Sequence, residues 1–170
     1  EVNIKVLVGL NVDKANFGLL EFAEQDSQLS DDEKCYKFLQ SVKKSLNSED
    51  FDTEEFYQQV KYFVKLINDN KLIIRKTYNP NHAKIYIFKL EESQVGRKNL
   101  FITGSSNLTK AGISTQDEFN VEISDYGFDD ADAYFDTLWN EAVKITEDDV
   151  IKRKLIETIE KDTLIKDITP

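Results

Sequence analysis

Apolar residues recur along this chain at two periods, and the order in which those periods alternate decides the class of fold. Ile4, Val6 and Val8 alternate with Lys5 and Leu7 and stop at Gly9, which reads as a mostly buried strand closed by a breaker. Helical spacing takes over at Tyr36, Leu39, Val42 and Leu46, and again at Phe56, Val60, Phe63, Val64 and Ile67. Strand character then returns in Leu72–Thr77, His82–Leu90, Leu100–Thr103 and Glu118–Ser124. Two further helical stretches finish the chain, one through Ala131, Tyr134, Phe135, Leu138, Trp139 and Ala142, the other through Ile151, Leu155 and Ile159. A strand, two helices, a run of strands and two closing helices predict an α/β fold, a mixed β-sheet flanked by helices on both faces. Asn11 to Leu29 has no single reading.

The helix ends carry their own signals. Ser30 with Glu33 is a capping-box pattern, Asp52 with Glu55 opens the second helix, and Asn68-Asp69-Asn70 stops it. Thr146 with Asp149 predicts the start of the last helix. Asn79-Pro80-Asn81 is a turn, and Glu91 to Lys98, with Gly96, is a polar loop.

A chain of 170 residues, 40% hydrophobic, fits one domain over residues 1–170 with a real core. It has no methionine and opens inside a strand, so we expect a piece of a longer polypeptide. No apolar run approaches the roughly 18 to 20 residues that cross a bilayer, and Glu1 to Leu10 reads as a strand rather than a signal peptide. The expectation is a soluble, cytoplasmic protein with no membrane partner. One cysteine, Cys35, and one histidine, His82, exclude an internal disulfide and a structural zinc site, and leave a buried, inert thiol as the expected fate of Cys35.

The net charge of −10 argues against nucleic-acid binding over the whole surface. The charge is unevenly spread, however. Lys71 to Lys110 holds eight basic residues (Lys71, Arg75, Lys76, Lys84, Lys89, Arg97, Lys98, Lys110) against Glu91 and Glu92, a local +6 that leaves −16 elsewhere.

The residues able to do chemistry lie in that basic stretch or just beyond it. Alternation puts His82, Lys84 and Tyr86 on one side of a strand and Ala83, Ile85 and Ile87 on the other, so an imidazole and an ammonium point the same way. Any exposed strand face can carry such a pair. Gly104-Ser105-Ser106-Asn107-Leu108-Thr109 follows a strand directly and offers hydroxyl, amide and backbone donors that can surround an anion, although such strings also make ordinary turns. Eleven residues after Asn107, Glu118 opens a strand that alternates Glu118, Asn120 and Glu122 against Phe119, Val121 and Ile123.

In combination these elements form an ordered signature that resembles the HKD half-site of the phospholipase D superfamily. His82, Lys84, Ser105, Asn107 and Glu118 match its histidine, lysine, serine, asparagine and trailing glutamate. The run from Gly104 to Glu118, with Leu108-Thr109 and Gly112, is similar to the version in N-terminal domains of bacterial helicase-like and restriction-type proteins. One departure stands out: the superfamily's third named residue, an aspartate, would fall at Lys89.

The resemblance implies a phospholipase D-like fold and a phosphodiesterase that needs no metal or other cofactor. His82 would attack phosphorus to give a phosphohistidine, Glu118 would orient the imidazole, and Lys84, Ser105 and Asn107 would bind the phosphate oxygens. A second histidine, which this chain lacks, would come from a second copy in a homodimer or from another domain. The function implied is a DNA nuclease domain attached to a helicase or other ATPase; no P-loop string occurs in the chain itself. The competing reading is a catalytically inactive DNA-binding or dimerisation module of the same fold. A lipid phosphodiesterase would be expected to carry both half-sites in one chain.

Overall fold

The computed structural model describes residues 2–9, 29–46, 54–79, 81, 83, 85–89, 99–104, 120–123 and 127–164. Its elements run β1 (Ile4–Val8), α1 (Asp31–Leu46), α2 (Glu54–Asn68), β2 (Leu72–Lys76), β3 (Ile85–Lys89), β4 (Asn99–Gly104), β5 (Asn120–Ile123), α3 (Phe128–Glu141), β6 (Val143–Lys144) and α4 (Asp149–Leu164). The ambiguous segment Asn11 to Leu29 lies outside the described residues except for Leu29, and so does the polar loop from Glu91 to Lys98. The α/β class read from the periodicity holds, with the described strands paired in two three-stranded sheets. The chain forms two compact units, residues 1–81 with 141–170, and residues 82–140.

In the first unit β1 pairs in parallel with β2, Ile4 opposite Leu72 through Val8 opposite Lys76. On its other edge β2 takes β6 antiparallel, Arg75 opposite Lys144. The core gathers Phe38 of α1, Val64 and Ile67 of α2, Leu72 and Ile74 of β2, Val143, Ile145, and Leu155 and Ile159 of α4. Leu39 and Val42 of the predicted stripe of α1 pack against the core together with buried Cys35 and Phe38, whereas Tyr36 is corrected to an exposed position, 64% accessible. The spacing i, i+3, i+4, i+7 from Cys35 serves a helix equally well, which is why the sequence period alone does not choose between the two stripes. The expectation of a mostly buried first strand is also corrected, since Ile4 is 37% and Val6 36% exposed and β1 lies at the edge of its sheet.

The helix ends explain themselves locally. Ser30 and Glu33 form the reciprocal box: the Glu33 amide donates to Ser30 Oγ at 3.3 Å and the Ser30 amide donates to Glu33 Oε2 at 2.9 Å. Those bonds from Ser30 hold the Glu33 carboxyl below the usual carboxylate range. At the far end of α2, Asn70 adopts φ 55°, with its N–H bonded to Ile67 O and that of Lys71 to Leu66 O. This is a Schellman ending in which asparagine takes the left-handed position usually given to glycine. The predicted cap of the last helix is corrected. Asp148, not Thr146, caps α4 by accepting from the amides of Val150 and Ile151. Thr146 is buried and its Oγ1 accepts from the Ile74 amide at 2.9 Å, so it serves the sheet rather than the helix.

In the second unit β3, β4 and β5 form an antiparallel meander. Ile85 lies opposite Thr103 and Thr103 opposite Val121; Tyr86 lies opposite Ile102 and Ile102 opposite Glu122. Directly opposed residues share a face. Ile85, Ile87 and Phe101 therefore form one side, and they pack with Phe128 and Ala131 of α3. Tyr86, Ile102 and Glu122 form the other. Gly127, at φ +83°, makes the left-handed turn that opens α3, where a side chain would be strained.

Candidate active site

The antiparallel sheet packs one of its faces against α3. As the alternation predicts, Ile85 and Ile87 lie on the packed side, while Tyr86 lies on the opposite face, where burial raises the pKa of its phenol. His82, Lys84, Ser105, Asn107 and Glu118 themselves all fall outside the described residues. What is described is the part of the chain from which each departs, all of it in one unit. His82 and Lys84 immediately precede β3, Ser105 and Asn107 follow β4, and Glu118 precedes β5 by two positions.

The register makes these departure points one place. Ile85, the first residue of β3, is opposite Thr103, and Gly104, the last of β4, is opposite Asn120, the first of β5. The start of β3, the end of β4 and the start of β5 are thus neighbours at a single end of the meander. Adjacent strands lie ~4.8 Å apart, so the outer two of three are ~10 Å apart at that end. None of the five residues stands more than three positions from a described strand terminus in this row, a reach of at most ~10 Å of chain.

On the other side of His82, Asn81 is held to the end of β1. Its N–H donates to Gly9 O at 3.0 Å, and Thr77 donates from its N–H to Val8 O at 3.0 Å. A tether of this kind is invisible to a motif search, which sees Gly9 only as a strand breaker. Beside it, Lys76 is fully buried, its ammonium 3.3 Å from Thr77 O and 3.4 Å from Gly9 O. Lys34 is also fully buried; its ammonium lies 3.4 Å from the centroid of the Tyr78 ring and has no hydrogen-bond partner among the described residues.

The local excess of positive charge is smaller on the surface than along the sequence. Arg75 forms a two-point ion pair with Glu147, at 2.5 Å from Nε and 2.7 Å from Nη2. Lys76 is buried, and Lys89 pairs with Asp132 of α3 at 2.7 Å. Cations already matched inside the protein release no counterions on meeting a phosphate. Of the other five, Lys71 is described and half-buried, and Lys84, Arg97, Lys98 and Lys110 lie outside the described residues.

A cleft of about 750 Å3 between α1 and α4 is lined by Cys35, Tyr36, Lys43, Lys154 and Lys161 among others. Cys35 in its lining is 4% exposed, and burial, reinforced by Asp31, Asp32 and Asp148, pushes its thiol up to about 11. No helix among the described residues is long and apolar enough to cross a membrane.

The family model described as "Cardiolipin synthase, PLD-like domain" matches residues 2–139. The chain belongs to that family and so to the phospholipase D superfamily, whose type of chemistry is phosphodiester cleavage. Neither a curated protein nor a solved structure matches it.

Proposed function

We propose that this domain is a DNA-cleaving phosphodiesterase that works through a phosphohistidine on His82. The observation that carries the reading is the register of the antiparallel sheet, which makes the start of β3, the end of β4 and the start of β5 neighbours. By alternation His82 and Lys84 belong with Tyr86, and Glu118 belongs with Glu122. Tyr86 and Glu122 share the face turned away from α3. Imidazole, ammonium and carboxylate so disposed would meet on the unpacked side, where a phosphate can approach.

In the proposed reaction a ring nitrogen of neutral His82 attacks phosphorus. A P–N bond forms and the P–O bond to the leaving group breaks, and the leaving oxygen takes a proton from a second histidine. Water then attacks the phosphohistidine, giving its proton to that second imidazole, and His82 is released. Histidine suits this role because its unperturbed pKa of about 6.5 leaves it largely neutral and nucleophilic at pH 7. Glu118 would hold one tautomer and stabilise the imidazolium, as the carboxylate does in an acid–base triad. Lys84, Ser105 and Asn107 would receive the charge that develops on the non-bridging oxygens, each preorganised donor being worth ~3 kcal/mol.

Because the chain has a single histidine, the second is proposed to come from another copy across a two-fold axis. DNA is proposed over a lipid headgroup because Lys84, Arg97, Lys98 and Lys110 accompany the motif and suit a polyanion. We place the domain beside a helicase or restriction-type ATPase in the intact protein, in the cytoplasm.

The test is cleavage of plasmid and oligonucleotide DNA with chelator present, by the parent and by His82→Ala. Loss of cutting in the variant, with binding retained, is the expected result. DNA retarded but left intact by the parent would establish the inactive binding module instead. Light scattering addresses the shared site: a monomer with full activity contradicts it.

A further inference from the structure

We propose that the cleft between α1 and α4 binds a free nucleoside monophosphate, its base on the Tyr36 ring and its phosphate between Lys43 and Lys161. The cleft lies wholly within the first unit, and its volume of about 750 Å3 falls in the range of small-molecule sites, ~300 to 1,000 Å3. Two ordered rows of side chains line it. Tyr36, Gln40 and Lys43 follow one another at i, i+4 and i+7 and so share one face of α1. Lys154, Glu157 and Lys161 follow at i, i+3 and i+7 on α4. Lys154 and Lys161 are exposed and form no ion pair among the described residues.

Both helices start at the same end of the cleft, because Asp148, which caps the start of α4, acts electrostatically on Cys35 near the start of α1. Lys43 and Lys161 are the last lining residues of their helices and therefore stand together at the other end. Their two ammonium groups outweigh the ~0.5 negative charge that each helix C-terminus contributes. Tyr36 precedes Lys43 by about two turns, ~10 Å along the axis, which suits the reach of a mononucleotide from base to phosphate. The Tyr36 ring is 64% exposed, so a base can stack on it. One turn further on, the Gln40 amide both donates and accepts, as the edge of a base does, and Glu157 offers an acceptor to ribose hydroxyls between the two ends. One ring and one facing pair of cations hold one base and one phosphate. A continuing strand would bring its next phosphate toward Asp32, one turn before Tyr36, and like charges would meet.

Calorimetric titration of the full chain with AMP, adenosine and inorganic phosphate as separate probes tests this. AMP should bind ~10-fold or more tightly than either fragment, because only it engages both ends of the cleft. Tyr36→Ala should weaken AMP by ~10-fold and leave phosphate unchanged, while Tyr36→Phe, which keeps the ring, should bind AMP as the parent does. Lys161→Ala should weaken AMP and phosphate alike, by ~5-fold, as expected for loss of one exposed cation. Lys65→Ala, an exposed lysine of α2 outside the cleft, is the control and should change neither. Tyr36, Lys161 and Lys65 are all exposed, so the variants should fold as the parent does, which circular dichroism checks. No AMP binding at millimolar concentration, AMP no tighter than phosphate, or AMP binding unchanged in Tyr36→Ala overturns the proposal, as does an equal loss in Lys65→Ala and Lys161→Ala. An oligonucleotide that binds more tightly than AMP with the same dependence on Tyr36 overturns the assignment to a free mononucleotide.

Discussion

The ammonium of Lys89 in β3 lies 2.7 Å from Oδ1 of Asp132 in α3. Position 89 is where the aspartate of the superfamily motif would fall, and here it carries a cation that ties the packed face of the meander to its helix. A carboxylate at 89 would face another carboxylate.

Lys89→Asp is accordingly expected to destabilise the second unit rather than complete the motif. The pair is partly exposed, with side chains 57% and 25% accessible, so we expect ~1 kcal/mol from loss of attraction and added repulsion. The Lys89→Asp, Asp132→Lys double variant should recover most of it. Denaturant midpoints of the three variants measure this; a stabilised Lys89→Asp contradicts it.

The start of α4 offers a comparison between a cap and a sheet contact. Asp148→Ala removes a side-chain acceptor from exposed amides and is expected to cost ~1 kcal/mol. Thr146→Val leaves the buried Ile74 amide without its hydroxyl acceptor and is expected to cost more, ~1 to 3 kcal/mol. If Thr146 were the helix cap, both losses would show chiefly in helix content, which circular dichroism would detect.

Cys35, with its thiol raised to about 11, holds almost no thiolate at pH 8. Labelling by iodoacetamide should be slow in the native protein and should reach one equivalent only on unfolding. Rapid native modification at neutral pH would contradict the burial of the thiol.

Hydrogen bonds from Arg75 hold the Glu147 carboxyl below the usual carboxylate range. A group whose pKa is lowered on folding adds stability above its unfolded value, and loses it as pH falls through the folded one. Glu147→Gln should therefore be less stable than the parent at pH 7, by ~1 kcal/mol for a pair in partial contact with solvent. The difference should shrink as the pH falls into the carboxylate range and vanish below it. Urea melts of both proteins from pH 7 to pH 2.5 check the sign.

The parts of the fold that could be read in advance were those decided by neighbours in sequence. Ser30 and Glu33 cap α1 from three residues apart, Asn70 ends α2 through its own φ, and Ile85 and Ile87 face the core because alternation requires it. The parts that escaped depend on distant partners. Val143 and Lys144 are too short to show a period and become a strand only because β2 offers an edge. Thr146 looks like a cap until Ile74, far away in sequence, claims its hydroxyl. Lys34 and Lys76 would be assigned to the surface by type, and their burial follows from a cation over Tyr78 and carbonyls at the end of β1. For the site, the residue types and spacing were readable, and the shared end of the sheet emerges only from the register of β3, β4 and β5. The tether from Gly9 to Asn81 leaves no trace in a motif, since a glycine required by a close approach looks like any other.

The central claim is that His82 becomes covalently bonded to phosphorus during turnover. Rapid alkaline quenching of the protein reacting with a phosphodiester oligonucleotide, in chelator, followed by peptide mass spectrometry, tests it directly. A nucleotide adduct on the peptide containing His82, formed and lost at rates that match turnover and absent from His82→Ala, is the predicted result. Turnover at the same rate with unmodified His82, or undiminished in His82→Ala, would contradict it.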